Sequence, residues 1–519
     1  MVVSATLLLL TVGCALQPST AEKPPGEDTS AGVEDTGRPS DTADSGDTKD
    51  TAPPPPDADG DGSLDEEDCD DTSSHVFPGA YDWCGDGLDE NCDGEDARCV
   101  DASGWEFVVL YDDTEHDDDS NYAFPTWAAH EGAIVAAPLF DVSVFEFGDA
   151  GEARGWSDAD WSISMSDGGV TAVWSGCDLT GDTRTDLVAT VHPSPADVSA
   201  IFQGDLSSGE SIEEQAFLVT WPYTWSSHYV TGDLDGDGSC DLLLIGDEYL
   251  IVAAFGPFTE DRELSESEHT FDLYDDGHAD EFLVDLDADG FQDLVVGTSG
   301  HYIEGETIFD PRSYVHWAYG PFLPGETTRA WDDSVATGER GGGTAIGDVD
   351  GDGAVDLVIG NVGKWGGTAG EDWYLDPETA GVGRVAFVSG AEAPGLDSID
   401  EAAARIEGPK GDFGLEVSAG DVDGDGRDDV AVLGGYVLDA TDTLRSEVYL
   451  FYAPFSGTVG TADADVVIRA DVNEGDVTLG DFDLDGTMDL ALDAPFDESW
   501  HDTEKGAIWF LWDIGHPSG

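Results

Sequence analysis

Aspartate residues recur along this chain at a spacing suited to binding a hard cation. In GDVDGDGRDDVAVLGG, residues 420–435, Asp421, Asp423, Asp425 and Asp429 occupy positions 1, 3, 5 and 9 of a short loop, and Gly426 at position 6 allows a sharp turn. The residue at position 7 contributes its backbone carbonyl, so its side chain is free to vary. Calcium takes six to eight oxygen ligands, so the pattern predicts a calcium site.

The same loop begins six times, at intervals of 52 to 73 residues. The first copy is degraded, because Thr180 replaces an aspartate, Thr183 replaces the glycine and Arg184 adds a positive charge. We expect that copy to bind weakly or not at all. The predicted ligands are Asp178, Asp182 and Asp186; Asp233, Asp235, Asp237 and Asp241; Asp285, Asp287, Asp289 and Asp293; Asp348, Asp350, Asp352 and Asp356; Asp421, Asp423, Asp425 and Asp429; and Asp481, Asp483, Asp485 and Asp489.

A seventh acidic loop opens a small cysteine-bearing module at residues 57–99. Its five carboxylates stand at positions 1, 3, 5, 9 and 12, and position 12 is Asp rather than the longer Glu. With this loop we expect about six to eight calcium sites. The segment CGDGLDENCDGED, residues 84–96, offers a second turn-type site. The predicted ligands of the first loop are Asp57, Asp59, Asp61, Asp65 and Asp68.

The chain has seven cysteines, and Cys14 lies in an N-terminal leader. The remaining six suit an oxidising compartment. Four of them, between residues 69 and 99, allow two disulfides in three pairings, with a zinc site as the alternative. Cys177 and Cys240 flank neighbouring loops, where they either bridge adjacent blades or remain buried thiols.

The N-terminus carries export signals and a spacer. Residues 1–13 form a short apolar run, too short to span a membrane, which we interpret as a signal peptide. LTVGC resembles a bacterial lipobox, with Cys14 as the lipidated residue, and an ordinary cleaved secretion signal is the alternative. Residues 14–56 are rich in Thr, Asp, Ser, Gly and Pro and predict a disordered linker that holds the folded part away from a surface.

Strand signals dominate the rest of the chain. Each loop precedes an apolar strand such as DLVVG or DLVIG, and a second strand of alternating or aromatic character follows. Residues 132–148 repeat the strand-turn-strand pattern without an aspartate loop, which gives seven units. We therefore predict an all-β fold, a seven-bladed β-propeller over residues 102–519. The strand Trp105–Tyr111 is expected to close the ring by completing the last blade.

Two parts of the chain resemble known families. GDFGLEVSAGDVDGDGRDDVAV, residues 411–432, is similar to the FG-GAP repeat of integrin alpha-chain propellers and bacterial surface proteins, with Phe413 and Gly414 in the turn. The module at residues 57–99 resembles a metal-binding motif found beside such repeats. The resemblance implies calcium at the rim of the blades and a ligand surface on the opposite face or the loops.

The net charge and the absence of catalytic motifs exclude several classes of function. With 114 acidic and 18 basic residues, the net charge of −96 excludes an ordinary nucleic-acid binder. Because the carboxylates repeat and no G-x-S-x-G, H-E-x-x-H or P-loop is present, we expect a non-enzymatic protein. We predict a monomeric adhesion or binding protein with a protein or glycan ligand. A lipid would anchor it in the outer membrane or at the cell surface of a bacterium, with secretion as the alternative. A secreted polysaccharide lyase or hydrolase and a cation store are the other hypotheses.

Overall fold

A computed structural model describes the chain in segments. The described residues are 58, 63–64, 68–73, 76, 78, 89, 92, 107–111, 126–130, 133–137, 141–146, 152–164, 170–191, 198–202, 216–220, 226–246, 250–263, 269–272, 278–298, 301–302, 309–310, 313–324, 331–338, 341–362, 382–390, 393, 396, 398–410, 413–438, 444–469, 476–494 and 507–515. The predicted leader, Cys14 and the linker lie outside these segments.

Short β-strands make up almost all of the described regular structure. Short apolar runs bounded by Gly, Pro and Asp favour this outcome over helices. The described residues include the 3-10 turns Trp156–Asp158, Ile399–Glu401 and Thr461–Asp463, which interrupt the strands. Within the described segments, no helix has the length and apolar character needed to cross a membrane.

The strands are numbered in chain order: β1 (Phe107–Tyr111), β2 (Thr126–His130), β3 (Ala133–Ala137), β4 (Asp141–Glu146), β5 (Glu152–Gly155), β6 (Trp161–Ser164), β7 (Val170–Ser175), β8 (Leu187–Val191), β9 (Val198–Phe202), β10 (Ala216–Thr220), β11 (Ser226–Gly232), β12 (Asp241–Gly246), β13 (Leu250–Ala254), β14 (Arg262–Glu263), β15 (His269–Asp272), β16 (His278–Val284), β17 (Asp293–Thr298), β18 (His301–Tyr302), β19 (Phe309–Asp310), β20 (Ser313–Ala318), β21 (Asp333–Gly338), β22 (Thr344–Gly347), β23 (Asp356–Asn361), β24 (Val382–Ser389), β25 (Ala404–Lys410), β26 (Val417–Gly420), β27 (Asp429–Leu438), β28 (Leu444–Phe451), β29 (Gly457–Gly460), β30 (Val466–Arg469), β31 (Val477–Gly480), β32 (Asp489–Ala494) and β33 (Ala507–Leu511).

The strands build an all-β propeller. In the described part of the chain, six sheets each join four strands from one continuous segment: β2-β3-β4-β6, β7-β8-β9-β10, β11-β12-β13-β15, β16-β17-β20-β21, β22-β23-β24-β25 and β26-β27-β28-β30. First strands of neighbouring sheets contact each other, for example β2 with β7 and β26 with β31, which places them at the centre. A separate hairpin pairs β18 with β19.

The expectation of seven blades needs a correction. Among the described residues, six blades, rather than seven, are formed by one continuous segment each, because the last unit supplies β31, β32 and β33 there and no fourth strand. The outer position beside β33 is taken by β1, which pairs antiparallel with it from Phe107↔Leu511 to Tyr111↔Ala507. The predicted contribution of the N-terminal strand to the last sheet is therefore confirmed.

Three further strands tie neighbouring sheets together on the outside. Each leaves its own sheet between the third and fourth strands and pairs parallel with the outer strand of the preceding sheet: β5 with β1, β14 with β10 and β29 with β25. The pairing covers outer edges that would otherwise expose unpaired backbone groups. These strands are only two to four residues long, too short to give a strand signal in the sequence.

The core lies between the sheets. Among the described side chains, clusters of buried apolar residues join consecutive sheets, from β2-β3-β4-β6 with β7-β8-β9-β10 onward. One more cluster joins the sheet of β31 to β33 and β1 with the sheet that starts at β2, through Phe510, Leu110 and Ile134. Burial of this apolar surface holds the sheets face to face.

Candidate metal-binding loops

Each aspartate loop connects the first strand of a sheet to its second. The backbone must reverse sharply at positions 4 and 6, and both have positive φ. In the loop that starts at Asp421, these are Gly424 at +74° and Gly426 at +89°. Ala288 and Leu484 adopt the same conformation at position 4, with φ of +58° and +63°. Glycine at position 6 avoids the steric penalty of a Cβ atom, as the sequence predicts.

Backbone amides hold the carboxylates in place. In the 421 loop, Asp421 Oδ2 accepts the N–H of Gly426 at 3.0 Å. Asp423 Oδ1 accepts the N–H of Asp425 at 3.0 Å, and Asp425 Oδ1 accepts the N–H of Arg427 at 3.0 Å. The same three bonds recur in the other four complete loops at 2.7–3.1 Å. Thus the loops share one geometry that turns the carboxylates inward.

The aspartate at position 9 anchors each loop to the sheet. Asp429 is 1% exposed, and its Oδ2 accepts the N–H of Val422 at 2.9 Å. Its Oδ1 accepts the N–H of Ala453, just after the third strand, at 2.8 Å. One side chain therefore ties the loop to the second strand and to the end of the third. Asp241, Asp293 and Asp489 make equivalent pairs of bonds.

Burial makes ionisation of these position 9 carboxylates costly. It is the largest cause of their raised pKa, because leaving water disfavours the charged form, while the backbone amides that donate to them act in the opposite direction. The pKa rises to about 6 for Asp241, Asp293, Asp356 and Asp429, and to about 7 for Asp186 and Asp489. A cation nearby would favour the ionised form.

Several predicted ligands converge. They form groups of three in which one carboxylate oxygen of each residue lies within 4.8 Å of the other two. Two loops contribute the residues at positions 1, 3 and 9, and another loop contributes those at positions 1, 3 and 5. In the degraded loop, the three remaining aspartates also converge. The groups are Asp233, Asp235 and Asp241; Asp348, Asp350 and Asp356; Asp285, Asp287 and Asp289; and Asp178, Asp182 and Asp186.

The donor atoms suit calcium. Asp356 Oδ1, Asp421 Oδ1 and Asp481 Oδ1 are buried and find no hydrogen-bond partner among the described residues. A buried charged oxygen without a partner is costly, and a bound cation would satisfy it. Carboxylate and carbonyl oxygens in a flexible loop are the donors that calcium prefers. The residues present therefore fit the cation that the sequence predicts.

The first loop differs from the others. Asp178 accepts three backbone N–H groups, from Gly181, Asp182 and Thr183, at 2.6–2.9 Å. Thr180 stands where the others have a third-position carboxylate, and its N–H donates to Asp186 Oδ2 at 2.8 Å. The amide donors already engage the Asp178 carboxylate, and one carboxylate is missing, so this loop offers a cation fewer free oxygens.

Disulfides occur at two of the predicted places. Cys177 and Cys240 are bonded, and they join the first loop to the end of the second, so the bridge between adjacent blades is confirmed. In the N-terminal module, Cys69 is bonded to Cys92. Asp68 lies beside that bridge, but bonded sulfurs are not thiolate ligands. Asp57, Asp59, Asp61, Asp65, Cys84 and Cys99 lie outside the described residues.

A buried polar pair, which the sequence does not predict, lies at the centre. His130 Nδ1 lies 3.1 Å from Ser175 Oγ, which links β2 to β7. Burial lowers the pKa of His130 to about 4. Its Nε2 has no hydrogen-bond partner among the described residues. Neither residue belongs to a motif, so the sequence carries no signal for the pair.

Comparison with known proteins supports the two resemblances. Residues 285–359 match the family model "FG-GAP-like repeat", and residues 68–97 match the Cu-binding MopE model, described as "Putative metal-binding motif". No curated protein matches the chain. Two crystal structures of BBS1N in complex with ARL6DN are similar, one soaked with mercury and one with lead. Each has 10% identity and a TM-score of 0.40; they cover 78% and 77% of this chain and 98% and 97% of theirs. At that score the likeness carries no argument about this chain.

Proposed function

We propose that this protein is a calcium-binding propeller that acts outside the cytoplasm in adhesion or partner binding. The FG-GAP-like repeat and the propeller fold support a general binding or adhesion role. In the proposal, calcium is structural, and the six continuous blades and the composite sheet form one closed ring of seven. The cluster between the last sheet and the first supports closure.

One observation carries the calcium proposal: buried carboxylate oxygens of predicted ligands have no hydrogen-bond partner among the described residues. Asp421 Oδ1 and Asp481 Oδ1 have no hydrogen-bond partner among the described residues. The other oxygen of each carboxylate, Oδ2, accepts a hydrogen bond from a backbone N–H at 3.0 Å. Calcium would neutralise the aspartates that crowd each loop. Because the ion binds the folded loops and not the unfolded chain, it would stabilise the propeller by mass action.

Chelation tests this proposal. We expect EDTA in calcium-free buffer to lower the melting temperature by several degrees and added calcium to restore it. Stabilisation is about 2.7 kcal/mol for each site at a ligand concentration 100 times the Kd. The matched variant Asp483→Asn with Asp485→Asn should lose one bound ion in native mass spectrometry. An unchanged melt with chelator would refute structural calcium.

The proposals for the binding partner and the cellular location rest on the sequence alone. We propose a protein or glycan ligand, a monomeric chain and no enzymatic activity. A lipid on Cys14 would anchor the protein in the outer membrane or at the cell surface. Mass spectrometry of the mature N-terminus in wild type and Cys14→Ala tests the anchor, and light scattering tests the monomer. Turnover of a polysaccharide that a single substitution outside the aspartate loops abolishes would instead support the lyase or hydrolase hypothesis.

A further inference from the structure

In four of the loops, the residue at position 8 lies against the loop of the preceding blade. This contact differs in chemistry from one of these four junctions to the next. At three of these junctions, a glycine just before the preceding loop makes room for the position 8 side chain. A Cβ atom on that glycine would lie 2.1–3.2 Å from the nearest atom of the side chain. The contacts are a disulfide between Cys240 and Cys177, and approaches of Gln292 to Gly232, Asp428 to Gly347 and Met488 to Gly420.

At the junction of the 348 and 421 loops, the contact is charged and hydrogen-bonded. Asp428 Oδ2 accepts the N–H of Asp348 at 2.7 Å, and the N–H of Asp428 donates to the carbonyl of Asp348 at 3.0 Å. Asp348 is the first predicted ligand of its loop. A residue of the 421 loop therefore fixes the backbone from which a ligand of the 348 loop extends.

Arg427 adds a second link between the same two loops. Its guanidinium lies 2.8 Å from Asp425 Oδ2, an ion pair with a predicted ligand of its own loop. Its stem lies over Gly351 of the 348 loop, where a Cβ atom would come within 2.7 Å of Arg427 Nε. Thus residues 427 and 428 both touch the preceding loop while flanking ligands of their own.

Like charges surround this contact. The Asp428 carboxylate is repelled by Asp348 on one side and by Asp421 on the other. A divalent ion in either loop would offset this repulsion and would stabilise Asp428 in the position that holds Asp348. At the neighbouring junctions, a neutral amide and a thioether approach the glycines instead, through Gln292 and Met488. These uncharged contacts transmit no such effect.

We propose that Asp428 is a positioning residue that couples cation binding in the 348 loop to cation binding in the 421 loop. The inference rests on the proposed calcium function. Filling one loop favours filling of the other, and by linkage the effect is equal in both directions. Coupling energies of this kind typically change affinity by about 5- to 150-fold, and for one charged hydrogen bond we expect about tenfold.

Native mass spectrometry of the full chain at limiting calcium tests the coupling. Asp423→Asn with Asp425→Asn disables the 421 loop and leaves the charge of Asp421 in place; at limiting calcium it should remove two ions, because the 348 loop also weakens. Asp287→Asn with Asp289→Asn disables, at the same two positions, a loop whose junction contact is the neutral Gln292. This matched control should remove one ion. Loss of one ion in both variants would overturn the coupling while leaving calcium binding intact.

Substitution of Asp428 completes the test. At saturating calcium, Asp428→Ala should bind as many ions as wild type because no predicted ligand is changed. In that background, disabling the 421 loop should remove one ion instead of two. Asp428→Asn, which keeps an acceptor oxygen for Asp348, guards against misfolding and should show intermediate coupling. Unchanged coupling in both variants would overturn the proposal, and a wild-type chain without calcium would overturn the proposed function itself.

Discussion

Removal of the disulfide between Cys177 and Cys240 should destabilise the propeller measurably. The bridge closes a segment of 63 residues between adjacent blades. The perturbation is Cys177→Ser together with Cys240→Ser, which replaces each bonded cysteine by a residue of similar size. Because the bridge restricts the unfolded chain, its loss lets that chain explore more conformations and shifts the equilibrium toward unfolding.

The magnitude follows from the length of the closed segment. The loop-closure relation gives about 4 kcal/mol for roughly 60 residues at 25 °C. A propeller of about 400 residues that melts as one unit has an unfolding entropy of about 0.9 kcal/mol per kelvin. The melting temperature should therefore fall by about 5 °C, or by more if the two bridged blades melt separately.

Calorimetry at fixed calcium concentration measures the shift. The control is Cys69→Ser with Cys92→Ser, which removes the bridge of the N-terminal module and leaves the propeller sheets untouched. That control should not change the main melting transition. A shift below about 1 °C in the propeller variant, or rapid labelling of both thiols in the native wild type, would refute the reasoning.

The remaining predictions concern the core and the central histidine. Phe413 is fully buried, 5.7 Å from the Tyr449 ring, so Phe413→Ala should cost about 3–5 kcal/mol in denaturant unfolding and Phe413→Leu clearly less. Equal losses would argue against a packing role. His130 has a folded pKa of about 4, below the unfolded value of 6.5, so its contribution to stability is present above pH 6.5 and is lost as pH falls toward 4. The loss should reach about 3 kcal/mol. Between pH 7 and 4.5, the melting temperatures of wild type and His130→Gln, plotted against pH, should converge and then cross. Parallel curves would contradict this role of His130.

The sequence by itself determined the local parts of this structure. The spacing of Asp421, Asp423 and Asp425 and the glycine at position 6 specify the turn of the loop, because the hydrogen bonds that these three carboxylates accept lie within five residues. The strand periodicity predicted the sheets, and the count of strands at the two ends predicted that β1 joins β33.

Tertiary structure decided what joins distant segments. The pairing of Cys69 with Cys92, the parallel strands β5, β14 and β29, and the contact of Asp428 with Asp348 connect residues that lie 23 or more positions apart. The amino-acid sequence gives no sign of these contacts, because their energy depends on how the sheets pack and not on the local spacing of residues. Tertiary structure also decided how many blades are formed by one continuous segment. The sheet of β31, β32 and β33 is completed only when β1, from the other end of the propeller segment, pairs with β33.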